Sequence, residues 1–247
     1  MPGRHAFVFV GLLAALAPGC GPRRDFAREA ESLARAPDSL EALALFRDWH
    51  AARPDDADAY LSEANYWFTR SQYARMVPTP HPPEDPEDKP IRDSTGKIVG
   101  SLTESTGFDT LLTRHAAALL DPAIERFPHR LDLYFAQAHI AEAIDDFAIE
   151  RNAIARAIAA ATAHPEAMRW THGDTLSIPV DRFVPAAVHA YAAHYAEEGT
   201  QLGNQRFADL AWLGAAAYPR DARLASDAAA AHRLAGQKPP PRREERE

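Results

Sequence analysis

The chain has 247 residues, with 27 basic and 35 acidic side chains, a formal charge of −8 and a single Cys. That length suits one domain or two small ones with a real core. The acid excess, with Lys only at 89, 97 and 238, removes the basic footprint of a nucleic-acid binder. One Cys excludes an intramolecular disulfide framework and a multi-Cys metal cluster. Of the residues, 51 are Ala, so the core must come from close packing of small side chains. Ala is the best helix former because ordering it costs no side-chain entropy, which argues for an all-α fold over a β-sandwich or barrel.

In chain order, Arg4 and His5 precede an apolar run from Ala6 to Ala17. The run is too short to span a bilayer comfortably and fits the apolar region of a signal peptide, residues 1–19, removed on maturation. It ends in Leu16-Ala17-Pro18-Gly19-Cys20, which resembles the lipobox of bacterial lipoproteins. The resemblance implies cleavage before Cys20 and acylation of its thiol. It departs from the usual pattern in placing Leu one position early and Pro18 where Ser or Ala is usual. Several acyl chains, at about 0.8 kcal/mol per buried CH₂, would hold the protein firmly on a membrane.

Four prolines recur in one context, Arg53-Pro54, Phe127-Pro128, His164-Pro165 and Tyr218-Pro219, each closing an Ala-rich helical stretch. Counting back from Pro54 gives two helices, with Glu29 and Trp49 outside the pattern; the second unit's helix A lies about 40 residues farther upstream than the repeat allows, and the third and fourth units take about three more residues in the turn. Helix A carries Phe26, Ala30 and Leu33 in the first unit and Tyr60, Ala64 and Trp67 in the second. It carries Tyr134, Gln137 and Ala138 in the third, then Val188, Tyr191, Ala192 and Tyr195 in the fourth. Helix B carries Ala42, Phe46 and Trp49, then Ala116, Leu120 and Ala123, then Ala153, Ala157 and Ala160, then Phe207, Ala211 and Gly214. Small residues thus recur where two backbones must approach closely, at a spacing that resembles the tetratricopeptide repeat of about 34 residues. The resemblance covers about residues 23–235 and implies a right-handed α-solenoid of about four helical hairpins. A last helix, Arg223 to Leu234, would cap it and put Ala229 at the same distance after its proline as Ala64 and Ala138.

Two insertions, at about 77–106 and 166–183, interrupt the repeat. No Ala occurs between Ala74 and Ala116, and Pro78, Pro80, Pro82, Pro83, Pro86 and Pro90 exclude a helix. Ile91–Asp93 and Lys97–Leu102 read as short strands around Ser94-Thr95-Gly96, a small β-hairpin that must lean on the helices or a partner. The second insertion carries Trp170, His172, Gly173 and Asp174. The tail, residues 237–247, is Pro-rich and mixed in charge and reads as disordered.

Catalytic signatures are weak. His189 and His194 lie on different helix faces, and Asp145-Asp146 reads as a helix N-terminal cap. In tetratricopeptide proteins the concave groove is lined mainly by helix A, and the resemblance places Leu61, Asn65, Phe68, Phe135, His139 and Glu142 there. Together with the lipobox it implies a membrane-anchored, non-catalytic interaction or assembly module of the bacterial cell envelope. Its partner would be a protein or peptide; no nucleic acid, metal or cofactor is implied. The competing expectation is an enzyme or small-ligand binder whose site the insertions build over the groove. Its candidates are His172, Asp174 and His139 for chemistry, and Tyr66, Trp67, Phe135 and Trp170 for a ligand concavity.

Overall fold

A computed structural model of the chain describes residues 25–33 and 39–235, so the leader, Cys20 and the tail from 237 lie outside the described residues. The described chain is mostly helical, with one small antiparallel sheet. The helices are α1 (Phe26–Leu33), α2 (Ser39–Ala52), α3 (Ala57–Ser71), α4 (Thr110–Arg126), α5 (Leu131–Glu142), α6 (Phe147–Ala163), α7 (Val180–Glu197), α8 (Gln201–Ala217) and α9 (Ala222–Ala235). Between α3 and α4 come β1 (Gln72–Thr79), β2 (Lys89–Arg92) and β3 (Ile98–Phe108).

Each of Pro54, Pro128, Pro165 and Pro219 stands two residues beyond the last residue of α2, α4, α6 and α8. A proline there has no N–H to continue the helix and ends it sharply. Successive helices pack on one another, most extensively α3 on α4, α5 on α6, α7 on α8 and α8 on α9. The alanines make this contact close. Ala64, Ala138 and Ala192 on α3, α5 and α7 are fully buried, as are Ala116, Ala123, Ala153, Ala157 and Ala211 on α4, α6 and α8. At Gly214 even a methyl group would be too much, since its Cβ would lie 2.9 Å from Val188 Cγ1 and 3.0 Å from Leu224 Cδ2.

Ala229 departs from the pattern and is exposed. The buried alanines of α3, α5 and α7 sit beneath a following helix, whereas no helix follows α9 among the described residues. The α9 contacts come instead from Leu224 and Ala231. A second, smaller core joins α1, α2 and α3 through Phe26, Phe46, Trp49 and Tyr66. There Trp49 stacks on Phe26 with centroids 5.6 Å apart and donates from Nε1 to Asp56 Oδ2 at 2.9 Å, tying α2 to the cap of α3.

The sheet is larger than two strands. β3 lies between β1 and β2, antiparallel to both, and β1 pairs along its whole length, from Gln72 with Phe108 to Thr79 with Ser101. The β2–β3 turn is built by Asp93, whose carboxylate accepts from Thr95 N at 2.8 Å and Lys97 N at 3.1 Å, and by Gly96 at φ +84. Positive φ is where glycine carries no Cβ penalty. Pro78 and Pro90 fall on the two edge strands, the positions in a sheet that tolerate a missing N–H.

The second irregular stretch forms short 3-10 turns at Pro165–Ala167 and Thr171–Gly173, and α7 begins at Val180. Met168 is buried, and Arg169 N donates to His129 O at 2.7 Å while Arg169 O accepts from Leu131 N at 3.0 Å. The segment is thereby fastened across the start of α5.

Candidate functional site

Helices α3, α5 and α7 share a polar and aromatic face. Phe68, near the end of α3, meets His139 of α5 edge to face at 5.6 Å and stacks on Phe108 of β3 at 5.3 Å, interplanar angle 8°. Glu142, one turn beyond His139, faces two imidazoles: His139 Nδ1 lies 3.4 Å from Oε2 and His194 Nε2 of α7 lies 3.7 Å from Oε1. Asn65 is exposed one turn before Phe68, on the same side of α3. On another side of α7, His189 Nδ1 lies 2.6 Å from Asp227 Oδ2 of α9.

Of the six residues placed in a groove by the repeat register, Phe68, His139 and Glu142 therefore meet at the α3–α5–α7 junction, and Asn65 lies beside them. Leu61 and Phe135 are 7% and 8% exposed and belong to the main core. Phe135 packs against Trp170, Phe183 and Tyr191, and its carbonyl oxygen accepts from the Tyr191 hydroxyl at 3.4 Å. The ligand-concavity set is divided: Tyr66 is buried in the smaller core, Trp67 spans both cores, and Phe135 and Trp170 stand together at α5. These four rings pack against the protein rather than line one concavity.

The chemical candidates are divided as well. His172 sits at the start of α3, where its Nδ1 is 2.8 Å from Asp58 Oδ2 and its backbone N–H donates to Asp58 Oδ1 at 3.3 Å. His139 is beside Phe68, ten residues along the same helix, a distance of about 15 Å at the helical rise. Asp174 supplies a main-chain carbonyl to Trp170 N at 2.8 Å. His172 is held at φ +61, a conformation uncommon for a residue with a Cβ.

Asp58 also accepts from Arg130 Nη2, and Arg130 makes a two-armed contact with Asp132 at 2.9 and 2.7 Å. Burial alone would raise the Asp58 carboxyl, but the Arg130 guanidinium and the His172 hydrogen bond outweigh it and hold its pKa below the usual range. For Arg130, burial works against the charge, and the carboxylates of Asp132 and Asp58 reverse it, raising its pKa. This cluster joins α3, α5 and the 3-10 segment in one set of charge-assisted bonds.

Behind Glu142 lies a fully buried carboxyl, Glu150 of α6. Its Oε2 accepts from the Tyr195 hydroxyl, and its Oε1 has no hydrogen-bond partner. Burial pushes it up to about 8, against the opposing hydrogen bond from Tyr195. The adjacent aspartates divide their roles: Asp146 caps α6, accepting from Ile149 N at 3.5 Å, while Asp145, at φ +60, pairs with Arg206 of α8.

Sequence reasoning did not single out Arg130, Asp58, Asp132 or Phe108. Arg130 and Asp58 are 72 residues apart, and no local pattern marks them. Among the described residues no group of three or more His, Cys, Asp or Glu is arranged to hold a metal ion. No helix among them is long and apolar enough to cross a membrane. The α3–α5–α7 face carries aromatic edges, amide and imidazole hydrogen-bonding groups and a carboxylate. Comparison with protein-family models, curated proteins and solved structures finds no match to this chain.

Proposed function

We propose that the chain is a tetratricopeptide-like solenoid of four helical hairpins and a capping helix, tethered to a bacterial membrane through acylated Cys20, and that it binds another protein of the cell envelope without catalysing a reaction. The observation that carries this reading is the coincidence of two periodic features. The four prolines end α2, α4, α6 and α8 at the same offset. Buried alanines recur on the helices between them. A helical pair of this kind cannot bury its apolar face alone, so stacking of pairs builds the core and leaves one face of the first helices open. Asn65, Phe68, His139 and Glu142 lie on that face.

The test is purification of the full chain from detergent-solubilised envelope with Cys20 intact. A stoichiometric protein partner is expected, released by the paired exposed-site change Asn65→Arg with His139→Ala. Recovery of monomer alone at native expression counts against the reading, as does a partner retained by the double variant. Cys20→Ser should release the protein from the membrane fraction without altering its melting, and continued membrane retention of that variant would refute the anchor.

A further inference from the structure

On the far side of α5 from His139 lies a separate cleft. Gln137 is two residues from His139, about 200° around the helix, and it points between α4 and α6. The cleft has a volume of about 340 Å³, within the range of small-ligand sites. Ala117 and Ala118 of α4 and Ala148 and Ile149 of α6 form its apolar walls, with Asn152 at its rim.

Gln137 is 2% exposed, and its amide orientation is fixed. Nε2 donates to Ala117 O and to Asp121 Oδ1, both at 3.0 Å. Both partners are acceptors only, so the nitrogen must face them and the oxygen must face the other way. Oε1 takes no partner from the protein and is not sealed among the buried atoms, so it opens on the cleft that Gln137 lines. A main-chain carbonyl on the α4 wall also lacks its helical N–H partner. Residue 122 is proline, so it has no N–H to return to the carbonyl of Ala118, one turn back on the cleft wall.

The charges around the cleft cancel in pairs. Arg114 Nη2 binds Asp146 at 3.0 Å, and Arg156 Nη1 binds Asp121 at 2.8 Å. What remains for a ligand is neutral: the acceptors Gln137 Oε1 and Ala118 O, and the exposed amide of Asn152, which both donates and accepts. The small alanine walls let a main chain approach closely. We propose that the cleft between α4 and α6 is a second binding site, for an extended neutral peptide segment whose main-chain N–H groups meet Gln137 Oε1 and the Ala118 carbonyl and whose carbonyl meets Asn152. It lies away from the α3–α5–α7 face and stands independently of the interaction proposed there.

The probe is the capped peptide acetyl-Ala-Ala-Ala-amide, titrated into the ¹⁵N-labelled full chain, with butylammonium chloride as the charged comparison. Saturable shifts are expected at the Gln137 side-chain amide and at Ala118, Ile149 and Asn152. Ala118→Leu, on an exposed wall position, should fill the cleft and abolish them while leaving the remaining spectrum in place. Asn152→Ala should weaken binding about fivefold, the worth of one neutral hydrogen bond. Absence of saturable shifts, or shifts that persist in Ala118→Leu, would overturn the site. Saturation by butylammonium in place of the peptide would overturn the neutral-amide assignment.

Discussion

The buried carboxyl of Glu150 makes a prediction with a sign and a size. With its pKa near 8 in the folded protein and an ordinary value of 4.5 when exposed, Glu150 stays protonated on folding while the unfolded chain ionises between those limits. The folded state then binds more protons than the unfolded state, so stability falls as pH rises through that window. Below pH 4.5 the group contributes no such penalty, and above about 8 the penalty is complete. A shift of this size corresponds to a few kcal/mol, at about 1.4 kcal/mol for each unit of pKa difference. Glu150→Gln keeps the shape and removes the ionisation. Its absolute stability is less informative, because the new amide N–H₂ meets the same site in which Oε1 has no partner. The slope is the readout. Urea unfolding of both proteins from pH 5 to 8 should show the difference in stability moving steadily in favour of Glu150→Gln as pH rises. Groups common to both proteins cancel in that difference. Two parallel curves would refute the reasoning, because they would mean that Glu150 ionises alike in the folded and unfolded chains.

Ala138→Leu forces a larger side chain into a fully buried contact and should cost about 1–3 kcal/mol in thermal or urea unfolding. Ala229→Leu, at the matching distance after Pro219 but exposed on α9, should leave melting unchanged; equal losses in the two would contradict the packing order. Arg130→Met strands the buried Asp132 carboxylate and should cost about 3–5 kcal/mol at neutral pH, measured by denaturant unfolding. The Asp58 carboxyl, held low by Arg130, contributes stability that is lost as pH falls through its depressed value, so the acid limb of the stability curve should flatten in the same variant. Asp109→Ala removes the acceptor for Leu111 N and Leu112 N at the start of α4 and should cost about 0.5–2 kcal/mol.

The helices were legible because their signals are local. A proline two residues past a helix end and an alanine at a crossing point act through the backbone beside them, so counting along the chain locates them. The β2–β3 turn was legible for the same reason, through Ser94-Thr95-Gly96, although the part played by Asp93 was not. β1 was not: Tyr73, Arg75 and Met76 are exposed, so the strand lacks the alternation that a half-buried strand shows, and Pro78 reads as a breaker until its edge position is known. For the candidate face, the expected register puts Phe68, His139 and Glu142 on neighbouring helix surfaces, and His139 does touch both Phe68 and Glu142. The same register places Leu61 and Phe135 there, and the Trp170 segment packs on Phe135 from outside the repeat. Arg130 and Asp58 are 72 residues apart, and His172 and Asp58 are 114 apart, separations at which spacing carries no information.

The sheet explains why a long insertion leaves the helix packing intact. Thirty-eight residues separate Ser71 from Thr110, yet α3 and α4 pack as closely as the helices joined by short turns. Their ends are brought together by the sheet itself. β1 leaves α3 at Gln72 and β3 returns at its partner Phe108, so the outgoing and incoming chains are neighbours in the ladder. One step further, Asp109 N donates to Ser71 O at 2.7 Å and Thr113 Oγ1 donates to Ser71 Oγ at 2.9 Å, closing the circuit between the two helices. The arm therefore grows out of the α3–α4 turn without displacing it, and loop-closure entropy grows only slowly with its length. Phe108 at the base of that arm stacks on Phe68, which in turn touches His139. A ligand resting on the α3–α5 face would thus meet the root of the sheet as well. Shortening the arm beyond the Gln72–Phe108 pair would leave the helix packing in place, whereas losing that pair would remove one wall of the face.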